Sequence, residues 1–124
     1  MVMAVEGAFS DLLGIELVEQ SKGRAVARIK VSKDGLNRHG VAHGGLIFSL
    51  ADQAFAAACN YDAPPSIAVH VDVSYMSPAF AGDVLTAEAT EIKRGRTMGF
   101  YEMMVTNQDG KPIAKVKGIS YSRT

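Results

Sequence analysis

The chain contains a single cysteine, Cys59, so no internal disulfide can brace the fold, and a reducing cytoplasmic compartment fits. Four prolines and no low-complexity tract leave nothing that reads as a linker. Excess charge of either sign is missing, because thirteen Lys and Arg offset thirteen Asp and Glu. Without a global field, nucleic acid and anionic membranes are disfavoured as partners, and any anionic ligand must be held by a local patch. No apolar run approaches the roughly 20 residues of a membrane span. The stretch from Met1 to Asp11 lacks a basic segment and breaks its apolar run at Glu6 and Asp11, which argues against a signal peptide. No Walker loop, dinucleotide fingerprint or Ser-His-Asp order occurs, so ATP- and NAD-dependent chemistry drops away. At 124 residues, one domain spanning 1–124 is expected.

What is present is one strong helix among strands. A short first helix is expected from about Val5 to Leu13, stopped at Gly14. Ile15 to Gln20 and Arg24 to Val31 flank Ser21-Lys22-Gly23 and read as a hairpin. Loop chemistry then runs from Ser32 to Gly45. Val69, Val71, Val73 and Tyr75 alternate with polar partners, which predicts a strand with one buried face. Val84 to Lys93, Thr97 to Asn107 and Lys111 to Tyr121 form a meander joined at Arg94-Gly95-Arg96 and Gln108-Asp109-Gly110. About six strands around one helix, without βαβ alternation, predict an α+β fold with an antiparallel sheet.

The helix itself carries the sharpest signal. Leu46, Ile47, Phe48, Leu50, Ala51, Ala54, Phe55, Ala57, Ala58 and Cys59 cover nearly every side of it, and the Pro64-Pro65 pair ends it near Asn60. Asp52 lies about two turns inside this apolar cylinder, where a carboxylate is costly unless paired, hydrogen-bonded or facing a cleft. Gly45, Ser49 and Asp52 fall near one stripe of the helix, as an active-site wall would. At its start, His43-Gly44-Gly45 can present free backbone N–H groups to an oxyanion at the positive end of the helix dipole.

Each of these features also has a plainer reading. Two glycines can serve only to turn the chain tightly, and Asp52 can be a buried acid satisfied by an arginine or a backbone donor. His39 and His43 are four apart, yet the segment between them lacks the glutamate of His-Glu-x-x-His and contains Gly40, so no metal site is expected. Either histidine can bond loop backbone or a substrate carbonyl. His70 reads as a surface or interface residue. Asn37 either caps its own turn or donates to a reacting oxygen. Lys93-Arg94-Gly95-Arg96 is either a phosphate-holding patch or a solvated hairpin tip. Cys59 reads as a small core residue.

The run Leu36-Asn37-x-His39, followed by His43-Gly44-Gly45-x-x-Phe48-Ser49-Leu50-Ala51-Asp52-x-Ala54-Phe55, resembles the signature of the hotdog-fold acyl-CoA thioesterases, nearest the phenylacetate-pathway (PaaI-like) branch. Tyr75-Met76-Ser77-Pro78-Ala79-x-Ala81-Gly82-Asp83 is similar to the strand end and turn that follow in that family. The layout matches over roughly residues 10 to 122. The resemblance implies a long central helix wrapped by a curved antiparallel sheet. It implies that the Gly44 N–H polarises a thioester carbonyl, with His43 and Asn37 in support, and that Asp52 is the catalytic carboxylate. It further implies substrate contacts from Gly45, Ser49, Arg94, Gly95, Arg96 and Thr97. An auxiliary serine found in some relatives is replaced here by Ala68.

In such relatives the carboxylate and the glycine of one site come from opposite subunits, and two dimers pair into a tetramer. The expectation is therefore a cytoplasmic homo-oligomer that hydrolyses acyl-CoA, including aryl substrates such as (hydroxy)phenylacetyl-CoA, with no cofactor and no metal. The alternatives are a medium- or long-chain acyl-CoA thioesterase, a non-catalytic acyl-CoA-binding hotdog module, and a hydratase on the same fold. The hydratase is disfavoured because those enzymes place an Asp and His pair on a different loop.

Overall fold

The computed structural model describes residues 7–62 and 65–122. Helix α1 (Ala8–Leu13) precedes a hairpin of β1 (Glu16–Ser21) and β2 (Arg24–Lys30), and after a 3-10 turn at Lys33–Gly35 comes α2 (Gly44–Cys59). Four strands follow: β3 (Ser66–Tyr75), β4 (Val84–Arg94), β5 (Met98–Thr106) and β6 (Pro112–Ser122). All pair antiparallel in one six-stranded sheet of order β1-β2-β4-β5-β6-β3, so β1 and β3 are its edges. This is the α+β arrangement of one long helix against one sheet. Among the described residues, no helix is long and apolar enough to cross a membrane.

Helix α1 ends at Gly14, whose φ of 80° places it in the left-handed region where glycine carries no Cβ penalty. The Val5 and Glu6 part of the expected first helix lies outside the described residues. The end of α2 is set by Asn60, which does more than stop before the prolines. Its side-chain amide donates to the Ala56 and Ser66 carbonyls, and its Oδ1 accepts the Ser66 N–H at 2.7 Å, sewing the helix end to the start of β3.

Small residues let α2 lie close to the sheet. Ala25 and Ala27 of β2 and Ala87 and Ala89 of β4 are fully buried against Leu50, Ala51, Ala54 and Phe55. Gly118 of β6 completes this seat: a Cβ there would stand 2.6 Å from the Phe55 ring. The ring also tilts against Tyr101, with centroids 5.3 Å apart.

Strand β3 departs from simple alternation. The register slips between Ala68 and His70, leaving Val69 as an extra residue opposite β6. A bulge of this kind turns the side-chain phase over. Ser66 faces inward before it, and Val71 and Val73 pack against the core after it. Val69, 53% exposed, is therefore not on the buried face that its spacing suggested, while Tyr75 keeps the inward phase of Val71 and Val73 and is equally exposed at the strand's end. The same slip leaves Val18 extra in β1 and Ile92 extra in β4, and both are exposed.

Candidate active site

The start of α2 is built by His43. It caps the helix in extended conformation (φ −63°, ψ 138°), and its Nδ1 accepts the Gly45 N–H at 2.8 Å. Histidine is not among the favoured cap residues, so this is a device that helix-start rules miss. Accepting at Nδ1 puts the ring proton of the neutral imidazole on Nε2. Leu46 N–H is taken by the His43 carbonyl. The Gly44 N–H has no partner among the described residues, as expected of a first-turn donor.

Asn37 caps its own turn, the first of its two readings. Its Oδ1 accepts the backbone N–H groups of His39 and Val41, an Asx turn that shapes the loop before α2. That leaves its NH₂ free to donate, and Asn37 lines a cavity of about 320 Å³ together with Gly44, Ile47, Tyr75, Met76 and Ser77. His39 is exposed, and no group of three or more His, Cys, Asp or Glu converges as a metal site among the described residues.

Tyr75 is the residue of this cavity that sequence reasoning passed over. Its hydroxyl donates to the Gly44 carbonyl at 2.8 Å. Its marks in the sequence are a place in the β3 alternation and the head of the Tyr75-Met76-Ser77-Pro78 run, and neither speaks of a contact with α2.

Asp52 is not in that cavity. Gly45, Phe48, Ser49, Asp52, Gln53 and Ala56 form the one partly exposed stripe of α2, while the remaining faces are buried. Ser49 Oγ donates to the Gly45 carbonyl at 2.7 Å. The Asp52 carboxylate has no hydrogen bond or ion pair among the described residues, and burial alone raises its pKa above the ordinary aspartate range. An unpaired, partly desolvated carboxylate of this kind is suited to accept a proton or attack a carbonyl.

The turn after β4 sits at the far end of α2. Arg94 is partly buried, and its Nη1 donates to the Cys59 carbonyl and the Tyr101 hydroxyl, each at 3.3 Å. Its guanidinium thus caps the negative end of the helix. Arg96 and Lys93 are exposed, Gly95 N–H closes the turn on the Met98 carbonyl, and the Thr97 carbonyl accepts from Ser122 N–H. Beneath them burial pushes the Cys59 thiol up to about 11, which keeps it protonated and inert. Ala68 is exposed just before the β3 bulge and offers no hydroxyl. A larger cavity of about 340 Å³, edged by His70, Ile92, Phe100 and Lys117, involves neither α2 nor Asn37.

Comparison with known proteins shows the family and the fold. Residues 39–114 match the thioesterase superfamily. The chain is 39% identical over 114 residues to the acyl-coenzyme A thioesterase PaaI of Escherichia coli K12, covering 92% of this chain and 81% of the relative. The solved structure of E. coli PaaI, from the phenylacetic acid degradation operon, superposes with a TM-score of 0.93 at 37% identity, covering 95% of this chain and 86% of that one. Human acyl-coenzyme A thioesterase 13 is 34% identical over 111 residues, 86% of this chain and 79% of the relative. A Streptococcus mutans UA159 protein solved with acetyl CoA bound has a TM-score of 0.84 at 27% identity, with 88% of each chain covered. Fold, helix-start motif and relatives converge, and the chain belongs to the thioesterase superfamily, with the hotdog fold.

Proposed function

We propose that the protein hydrolyses acyl-CoA thioesters at a site assembled from two copies of the chain. One observation carries this reading: the free Gly44 N–H and the unpaired Asp52 carboxylate lie on one helix but too far apart to serve the same carbonyl. The eight helical steps from one to the other span about 12 Å. A second copy bringing its Asp52 to the Gly44 cavity of the first removes the difficulty. Edge strand β3 is ten residues long, carries exposed Ile67, Val69 and Tyr75, and has one unpaired side, so it suits antiparallel pairing across a two-fold axis. Such pairing would also cover the partly exposed stripe of α2. Two such dimers then pair into a tetramer.

In this site the thioester oxygen faces Gly44 N–H, with the Asn37 amide and His43 beside it. A water oxygen attacks the carbonyl carbon while Asp52 of the other copy accepts the water proton. Charge gathers on the former carbonyl oxygen, where the Gly44 donor meets it. The C–S bond then breaks, releasing the acid and the CoA thiolate, which takes up a proton. Direct attack by Asp52 would instead give a mixed anhydride that water opens. A single turnover in heavy-oxygen water separates the two, since only the anhydride route labels the Asp52 peptide.

Arg96 and its turn, Gly95 and Thr97, are positioned to meet CoA phosphates, and Arg94 holds that turn in place. Support for CoA as the carrier comes from the acyl-CoA thioesterase relatives and from the acetyl CoA bound to the Streptococcus mutans protein. For the acyl group we favour aryl substrates of the phenylacetyl class, because the E. coli relative comes from the phenylacetic acid degradation operon. Thiol release from a panel of acyl-CoAs tests both levels. No release from any member would defeat the activity, and a higher kcat/KM for long-chain acyl-CoA than for phenylacetyl-CoA would defeat the aryl assignment alone.

A further inference from the structure

The Gly44-Gly45 pair poses a problem that its function would have to solve. An oxyanion donor works because it is preorganised, and two successive glycines are the least preorganised backbone available. The missing Cβ atoms leave the torsions on both sides of the Gly44 Cα loose, so the peptide that carries the Gly44 N–H can turn against the one shared with Gly45.

Two side chains remove that freedom. The Gly44–Gly45 peptide is held at its N–H by His43 Nδ1 at 2.8 Å and at its carbonyl by the Tyr75 hydroxyl, also at 2.8 Å. The Tyr75 ring lies against the Gly44 Cα so closely that a Cβ there would stand 3.1 Å from its Oη and 3.2 Å from its Cζ. A Cβ at this place would press the ring back by a few tenths of an ångström, so glycine permits the close approach that the ring makes. Tyr75 also belongs to the Gly44 cavity, so ring and donor face the same ligand space. The contact joins residues 31 apart in sequence and ties the end of an edge strand to the start of the helix.

Resting on the thioesterase reading above, we infer that Tyr75 is a positioning residue: by clamping the Gly44 carbonyl and packing on the Gly44 Cα it holds the frame from which the Gly44 N–H points at the developing oxyanion. The hydroxyl acts through Gly44 and takes no proton from the substrate. Its bond to the carbonyl also polarises the shared peptide, which strengthens the Gly45 N–H bond to His43.

Tyr75→Phe tests this, because it keeps the ring contact and removes only the donor. The side chain is half exposed, so the variant keeps its fold. The expected result is a kcat lower by about 3- to 10-fold, the worth of one ordinary hydrogen bond, at unchanged KM. A trifluoromethyl ketone analogue of the acyl-CoA, which forms a tetrahedral adduct, should bind more weakly by a similar factor. A thioether analogue without a carbonyl should bind as before. Changes smaller than about twofold in both kcat and ketone affinity would overturn the inference. So would equal losses with both analogues, which mark a general packing role. The amide of Gly45 gives a readout independent of turnover: in Tyr75→Phe its proton resonance should move and its exchange with solvent quicken. An unchanged Gly45 amide would overturn the clamp whatever the wild type hydrolyses. Wild-type silence on every acyl-CoA would overturn the thioesterase reading, leaving the clamp to be judged on that amide.

Discussion

Gly44 and Asp52 stand about 12 Å apart on α2 and open to different surroundings, the first to a cavity beneath the β3 end and the second along the exposed stripe of the helix. Neither has a polar partner among the described residues for the group it would use. On the proposed reading these are two halves of one site, completed by another copy.

Asp52 should show its role in both rate and stability. Asp52→Asn is expected to lower kcat by about a hundredfold or more, the cost of losing a general base or nucleophile. Burial raises the Asp52 pKa, so the folded chain holds this proton more tightly than the unfolded chain does. Its contribution to stability is therefore full below the unfolded value and lost as pH rises through the folded one. Asp52→Asn should raise the melting temperature at neutral pH, with the gain shrinking as pH falls into the ordinary carboxylate range. The acid limb of kcat/KM should likewise sit above that range. A melting difference that does not change with pH would contradict the assignment of burial as the cause.

Gly118 should tolerate no side chain while Phe55 is present. Its added Cβ would meet three ring atoms of Phe55 at 2.6, 2.8 and 3.0 Å, in the middle of a central strand. Gly118→Ala is expected to destabilise by about 1–3 kcal/mol, measured as a lower denaturation midpoint. Phe55→Leu in the same chain should recover part of this loss, and purely additive effects would show that the two residues are not coupled.

Arg94 and Arg96 should separate cleanly despite their adjacency. Arg94→Ala removes the donor to the Cys59 carbonyl and Tyr101 hydroxyl and should cost about 1 kcal/mol of stability. Arg96→Ala should leave the melting temperature alone and raise KM for acyl-CoA by about 2- to 10-fold, more at low salt than at high. A pantetheine thioester, lacking the nucleotide phosphates, should not distinguish Arg96→Ala from wild type. Equal KM increases on both substrates would remove Arg96 from phosphate binding.

Much of this architecture could be read from residue order. The two-residue period, the Ser21-Lys22-Gly23, Arg94-Gly95-Arg96 and Gln108-Asp109-Gly110 turns and the apolar helix give α2 and five of the strands to within a residue or two, while β3 begins at Ser66, three residues before the expected Val69. The stripe of Gly45, Ser49 and Asp52 follows from helical geometry. What escaped was set by distant contacts or by register. The bulge at Val69 leaves no local mark, because an apolar residue continues the alternation that the bulge breaks. Arg94 sits in a turn that reads as solvated, and only the position of the α2 C-terminus turns it inward. His43 as a cap and Tyr75 on Gly44 depend on side-chain reach that composition does not encode.

The most direct measurement of the two-copy site is a mixed oligomer. Asp52→Ala and a second variant blocked at the glycine end, Gly44→Val, are each expected to be inactive alone. Co-refolded and assayed for thiol release, they should regain activity approaching one quarter of wild type, since random pairing makes about half the dimers mixed and each mixed dimer holds one site with both intact halves. Sedimentation should find no active monomer. A mixture as inactive as its parents, with mixed dimers verified by mass, would contradict a site shared between two copies.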